Sequence, residues 1–168
     1  FAESEFYTAF AHTFLRTLSA FILSFLLAGA CASLSALSGK FKAFLKPVTV
    51  LFRTVPTLAV ILLLLVWTSA KTAPQIVTFL VLFPIIYSQL TAAAEQIDGR
   101  LLQMAEVYGV SKRDRLFKIY LPQVSVPVFS EAGANMSLGL KVMISAEVMA
   151  STYKSIGGLM NSARAYLE

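Results

Sequence analysis

Residues 18–37 read Leu-Ser-Ala-Phe-Ile-Leu-Ser-Phe-Leu-Leu-Ala-Gly-Ala-Cys-Ala-Ser-Leu-Ser-Ala-Leu and contain no charged side chain. The hydrocarbon core of a bilayer is about 30 Å thick, which a helix of roughly 20 apolar residues crosses. His12 and Arg16 precede this run, and Gly39 with Lys40 follows it. The stretch therefore predicts a transmembrane helix, and it decides how the rest of the chain is interpreted.

The composition of the whole chain agrees with a membrane protein. Hydrophobic residues make up 57% of the sequence and charged residues 14%, against about 25% charged in soluble domains. A soluble domain of 168 residues could not bury so much apolar surface. The net charge of +5 suggests nucleic-acid binding as one possible function. However, the basic residues collect in two short connections between apolar runs. The predicted partner is therefore the lipid bilayer and not nucleic acid.

Three further apolar runs follow, at Thr54–Ala70, Gln75–Ala94 and Val124–Ala150. Pro84 lies inside the third run, where a neighbouring helix must satisfy the backbone group that it frees. The fourth run is rich in Gly, Ala and Ser, which favours close packing against other helices. We expect an all-α, polytopic helical bundle with about four spanning helices. The fourth run also carries three charged side chains and one amide: Glu131, Lys141, Glu147 and Asn135.

The Lys and Arg counts in the connections predict the orientation. Residues 38–53 hold four of them, residues 95–121 hold five, and residues 70–74 hold only Lys71. The positive-inside rule then places both long connections in the cytoplasm and the Lys71 turn outside. Within the first connection, Lys40–Lys46 alternates basic residues with Phe and Leu before Pro47. This pattern predicts a short interfacial helix, with a plain charged loop as the alternative.

The second connection, residues 95–122, is predicted to form a helix, a glycine turn and a second helix. Asp98 is the candidate N-cap of the first helix, and Gly109 suits its left-handed end. Ser111 is the candidate cap of the second helix. Pro122 is expected to mark a turn into the fourth run. A folded, partly apolar unit in the cytoplasm indicates docking to a partner; a hairpin lying on anionic lipid is the alternative.

The same loop resembles the EAA loop of bacterial ABC-importer permeases. That pattern is Glu-Ala-Ala, three residues, Gly, nine residues, Ile, one residue, Leu-Pro. Here Gln103-Met104-Ala105 is followed by Gly109 and by Ile119-Tyr120-Leu121-Pro122 at the same spacing. The leading Glu and the first Ala are replaced by Gln103 and Met104. The resemblance implies a set of ATPase-coupling residues: Gln103, Met104, Ala105, Glu106, Gly109, Ile119, Leu121 and Pro122.

The resemblance extends over roughly residues 10–165. Residues 12–18, 53–58 and 157–159 are similar to the matching segments of permeases for nitrate, sulfonate and taurine-type solutes. It implies a single permease domain over residues 1–168. Within this domain, residues 95–122 form the cytoplasmic coupling loop. It also implies a segment of a six-helix permease, with one helix before Phe1 and one after Glu168. The expected location is the bacterial plasma (inner) membrane.

The partners that the resemblance implies would supply what this chain lacks. They are cytoplasmic ATPase subunits, a second permease subunit that is identical or different, and an extracytoplasmic substrate-binding protein. The sequence holds no Gly-rich phosphate loop followed by Lys and Ser or Thr. We therefore expect no catalytic residue, metal site or cofactor in this chain, with ATP and Mg bound by the ATPase. Such a permease is not an enzyme itself.

The ionisable groups of the fourth run are functional candidates because charge at membrane depth is costly. Glu131 and Glu147 lie roughly 160° apart on a helix at about 100° per residue, so a proton relay along one face is disfavoured. Lys141 either pairs with a carboxylate or favours anions, and Asn135 either lines a path or bonds a neighbouring helix. For Glu147, a gate role competes with plain interfacial placement. The candidates for a pathway or outer gate are Asn135, Lys141, Glu147, Gly157 and Gly158.

Two other function classes fit the same apolar pattern. A secondary transporter or channel subunit would use an ion gradient and need no ATPase. A membrane scaffold would use its basic loop only to bind anionic lipid. Association with an ATP-binding subunit separates the importer permease from both.

Overall fold

The computed structural model describes residues 3–54 and 56–167, and every regular element within those ranges is helical. The predicted all-α bundle is confirmed. The helices, in chain order, are α1 (Glu3–Leu37), α2 (Gly39–Thr54), α3 (Thr57–Trp67), α4 (Ala73–Glu95), α5 (Gly99–Val107), α6 (Lys112–Arg115), a π-helical segment (Leu116–Tyr120), α7 (Leu121–Ala150) and α8 (Ile156–Leu167).

Helices α1, α4 and α7 form the body of the bundle. The buried positions of α1 recur every three or four residues and are all small, including Ala20, Ser24 and Ala28. Small side chains let membrane helices approach closely. Larger residues of α4, such as Leu82 and Ile86, fill the space opposite them. Helix α1 is also longer than the predicted first span. It begins at Glu3 rather than near Leu18, so the apolar run of residues 18–37 is only part of it.

The second predicted span is not a single helix. Its apolar core forms α3, whose 11 residues cover about 16 Å and cannot cross a bilayer alone. Helix α2 passes through Pro47, so the predicted interfacial helix at Lys40–Lys46 is only its first part. The axes of α2 and α3 differ by 93°. Pro56 is extended and lacks an N–H, which explains why the helix is not continuous there.

The structure also gives fewer clearly apolar spans than the four that the sequence predicts. Among the described residues, α1 and α4 are long and apolar enough to cross a membrane, and α2 with α3 makes a third if the bent pair is one span. Helix α7 has the length, 30 residues, but its charged side chains make it less apolar. Its packing against α1 and α4 buries one face of the helix within the bundle.

The predicted turn at Pro122 is wrong. Helical structure runs without interruption from Lys112 to Ala150. The turn before Pro122 is widened to a π-helix, in which the N–H of Leu121 donates to the carbonyl of Leu116. Pro122 has no N–H to donate to the preceding turn, and it follows directly after this widened π-helical turn. The loop of residues 95–122 is thus joined by continuous helix to α7, the helix that carries the predicted pathway residues.

Candidate functional site: a capped cytoplasmic loop and an outer polar cluster

The first half of the loop of residues 95–122, predicted to be cytoplasmic, is fixed by two helix caps. The Asp98 carboxylate accepts a hydrogen bond of 2.8 Å from the N–H of Arg100, which confirms the predicted N-cap of α5. Gly109 has φ +66°, a left-handed conformation that glycine adopts without steric cost. The N–H of Val110 donates to the carbonyl of Ala105 at 2.8 Å, and that of Gly109 to Glu106 at 3.0 Å. These two bonds define a Schellman C-cap.

The second half of the loop begins with a reciprocal cap. The Asp114 N–H donates to the Ser111 hydroxyl oxygen at 3.1 Å, and that hydroxyl donates to the Asp114 carboxylate at 2.7 Å. The Lys118 ammonium lies 2.8 Å from the same carboxylate. Lys118 first, and Ser111 second, hold the pKa of Asp114 below its usual value. The sequence-based prediction of Ser111 as a cap is confirmed.

Arg115 braces the glycine turn from the second helix. Its Nε donates to the carbonyl of Val110 at 3.1 Å, and its Nη1 lies 3.9 Å from the carboxylate of Glu106. The guanidinium therefore links the end of α5 to the helix that continues into α7. The sequence pattern gave no indication of this brace, because it depends on how the two helices are placed around Gly109.

The predicted coupling residues divide into an exposed set and a packed set. Ala105 is buried, and Ile119 packs against the core of the bundle. Gln103 and Glu106 are exposed. Leu121 and Pro122 are also exposed, at the start of α7. The apolar side chains that α5 presents to its surroundings are Leu101, Met104, Val107 and Tyr108, and we call these four residues the α5 apolar face.

A second constellation ties α1 to the far end of α7. Glu147 is completely buried. Its carboxylate accepts a hydrogen bond of 2.8 Å from the Thr13 hydroxyl and one of 3.2 Å from Arg16 Nη1. The Thr13 oxygen in turn accepts the N–H of Ile156, the first residue of α8, at 3.0 Å. We call Thr13, Arg16, Glu147 and Ile156 the outer cluster.

The two predicted gate glycines lie against this cluster. A Cβ at Gly157 would be 2.4 Å from the backbone N of Val148, and one at Gly158 would be 2.3 Å from the carbonyl of Thr152. Neither space can hold a side chain, so α8 packs onto the end of α7 only because both residues are glycine. The Thr152 hydroxyl also donates to the carbonyl of Ala70 at 2.7 Å, which connects the cluster to the turn before α4.

The remaining predicted pathway residues, Asn135 and Lys141, do not lie together. Asn135 is buried and exchanges two hydrogen bonds with Gln89 of α4, at 2.7 and 3.2 Å, so it connects helices rather than facing open space. Lys141 is exposed and lies outside the outer cluster. Sequence reasoning missed Thr13, Arg16 and Gln89. A signal existed for each: Thr13 and Arg16 share one helical face before the first apolar run, and Gln89 is an amide inside the third.

A cavity of about 710 Å³ opens beside the outer cluster. Its walls come from α1, the turn before α4 and the turn after α7. Its lining includes four basic residues, His12, Arg16, Lys71 and Lys154, and no acidic one. This end of the bundle is the one that the positive-inside count places outside.

Comparison with known proteins identifies the family. Residues 20–166 match the model of the binding-protein-dependent transport system inner membrane component. The chain belongs to this family. This inner membrane component is therefore a permease subunit of an ABC transporter of the binding-protein-dependent type, and a multi-pass membrane protein. Members of the family are transport permeases and not enzymes.

One curated relative is the taurine transport system permease protein TauC of Escherichia coli (strain K12). It is 24% identical over 132 residues, which are 78% of this chain and 48% of the relative. The inner membrane component thus spans about half the length of that relative. A solved amino acid ABC transporter with histidines is 16% identical and superposes with a TM-score of 0.78 over 96% of this chain and 78% of that one. This likeness supports the fold.

Proposed function

We propose that this permease forms part of the translocation path of an ATP-driven importer in a bacterial inner membrane, and that its cytoplasmic loop docks onto an ATPase subunit. The α5 apolar face carries the proposal. Four large apolar side chains are exposed on one short helix, at the end of the bundle predicted to lie in the cytoplasm. Exposed apolar patches rimmed by polar residues mark protein interaction sites.

The loop is built to transmit force once it is held. Two capped helices meet at the Gly109 turn, and the Arg115 brace joins them. The second helix continues without a break into α7, so displacement of the loop moves α7 and, at its far end, Glu147. ATP can shift the permease only if its two states contact the ATPase differently. The continuous helix from the loop to the outer cluster would carry such a difference to the far end of the bundle.

The outer cluster is the proposed gate. Arg16 and Thr13 hold α1 against the end of α7, and α8 is tied to the same carboxylate through Thr13. In this proposal, one conformation of the permease keeps these contacts and the other separates α1 from Glu147. The further partners are a second permease subunit and an extracytoplasmic binding protein. ATP and Mg would be bound by the ATPase.

A glycine substitution in the loop tests the docking role. Gly109→Val forces a β-branched residue into a left-handed conformation, which costs at least about 1–2 kcal/mol and disrupts the C-cap of α5. We expect the variant to lose co-purification with the ATPase subunit and ATP-driven uptake. Gly99→Ala is the matched control, since a Cβ there meets nothing within 4 Å and its φ is ordinary. Retention of the ATPase by Gly109→Val would contradict the proposal.

A further inference from the structure

Arg53 is the residue that the fold places most unexpectedly. The Lys and Arg count assigns it to the cytoplasmic connection. In the structure its Nη2 donates to the carbonyl of Pro84 at 3.2 Å. Pro84 is the central residue of α4, eleven residues from either end, or about 16 Å along the helix. The guanidinium therefore lies beside the middle of a predicted transmembrane helix.

A second contact fixes this depth independently. Lys42 pairs with Glu95 at the cytoplasmic end of α4. From Lys42 to Arg53 on α2 is the same number of residues as from Glu95 back to Pro84 on α4. These two contacts tie α2 to the end and to the middle of α4, so Arg53 lies farther along α4 than Lys42 does. Arg53 lies near the C-terminal end of α2, beside the middle of α4, and not in a surface loop.

The charge on Arg53 is only partly satisfied within the chain. Its side chain is exposed, and no carboxylate in residues 3–54 and 56–167 forms an ion pair with it. The Pro84 carbonyl is shared with the Ser88 hydroxyl, which donates to it at 2.8 Å. Charged side chains at membrane depth face a bundle interior or a water-filled path rather than lipid. The exposed side of Arg53 must therefore meet protein or water.

We propose that Arg53 lines the solute path and receives the anionic group of the transported solute, a sulfonate, carboxylate or similar oxyanion. This inference rests on the proposed importer function. A planar guanidinium is suited to two-point binding of such groups. The outer cavity supplies an independent observation, because Lys71 and Lys154 line it and no acidic residue does, which favours the same charge class at the entrance. Ser69 and Ala70, which follow α3 in the chain, line that cavity.

Cysteine accessibility tests whether Arg53 lines an aqueous path. The assay uses the assembled permease–ATPase complex in vesicles, with Cys31→Ser as background, since Cys31 is the one native cysteine. Arg53→Cys is treated with a membrane-impermeant thiosulfonate reagent, with and without ATP. We expect modification in at least one nucleotide state, because thiolates react only where water reaches them. Absence of modification in every state would overturn the proposal.

The second arm tests the charge selectivity. Ser88→Cys places a thiol next to the oxygen that Arg53 contacts, and its modification rates by an anionic and a cationic thiosulfonate are compared. We expect the anionic-to-cationic rate ratio to fall about tenfold when Arg53→Gln is added, and to persist with Arg53→Lys. An unchanged ratio would refute anion selection. Co-purification of the ATPase with each variant is measured in parallel, so that a failure of the importer function itself is recognised separately.

Discussion

The outer cluster makes a quantitative prediction about stability. The Arg16 side chain retains 12% exposure and that of Glu147 none, so the small values of surface ion pairs do not apply. Removing one partner of a buried pair leaves an uncompensated charge and costs about 3–5 kcal/mol. We expect Arg16→Met to reach that range, since Glu147 has no route to water. Glu147→Met should cost less, about 1–3 kcal/mol, because a freed Arg16 extends toward the outer surface.

The double variant Arg16→Met/Glu147→Met shows whether the two residues stabilise the protein as an ion pair or contribute independently to the free energy of unfolding. Replacing both charges with apolar side chains of similar length removes the need for pairing. We expect Arg16→Met/Glu147→Met to cost about 1–2 kcal/mol, well below the sum of the single changes. The free energy of unfolding is measured by circular dichroism as the purified permease is titrated from mild detergent into SDS. Additive costs, or single costs below about 1 kcal/mol, would refute the reasoning.

Two further predictions concern the packing of α7. Asn135→Ala leaves the Gln89 amide without its partner and should lower the unfolding free energy by about 1 kcal/mol. The double variant with Gln89→Ala should cost less than the sum of the two single variants. Additive costs in the same SDS titration would contradict the pairing. Gly157→Ala introduces a Cβ 2.4 Å from the backbone of α7 and should cost about 1–3 kcal/mol. Gly133→Ala, where a Cβ meets nothing within 4 Å, is the control, and an equal loss at both glycines in a thermal unfolding assay would argue against close packing of α8.

The sequence predicted the local features of the loop because local chemistry determines them. Asp98, Gly109 and Ser111 each act on backbone groups within a few residues of themselves. Their roles therefore follow from residue type and spacing. The sequence predicted a partly apolar loop, but not that Ala105 turns inward while the α5 apolar face stays exposed.

The features that sequence reasoning missed all depend on contacts between distant segments. Arg16 and Glu147 are 131 positions apart, and nothing near either residue indicates the pairing. Arg53 was assigned to a loop because basic residues usually stay at the membrane surface. The structure reversed that assignment, because α2 continues beyond Lys46 and brings Arg53 to the carbonyl of Pro84 in the middle of α4. The uninterrupted helix through Pro122 is a local exception: the π-helical turn before it has no simple sequence pattern.

Docking of the α5 apolar face onto an ATPase is the central claim, and photo-crosslinking measures it most directly. A photoreactive amino acid replaces Met104, which is 56% exposed, and the control position is Phe129 of α7, which is 67% exposed and lies outside the loop. We predict a crosslink from position 104 to a cytoplasmic ATP-binding subunit and none from position 129. Crosslinks from position 104 to lipid alone, with the ATPase present in the complex, would contradict the account.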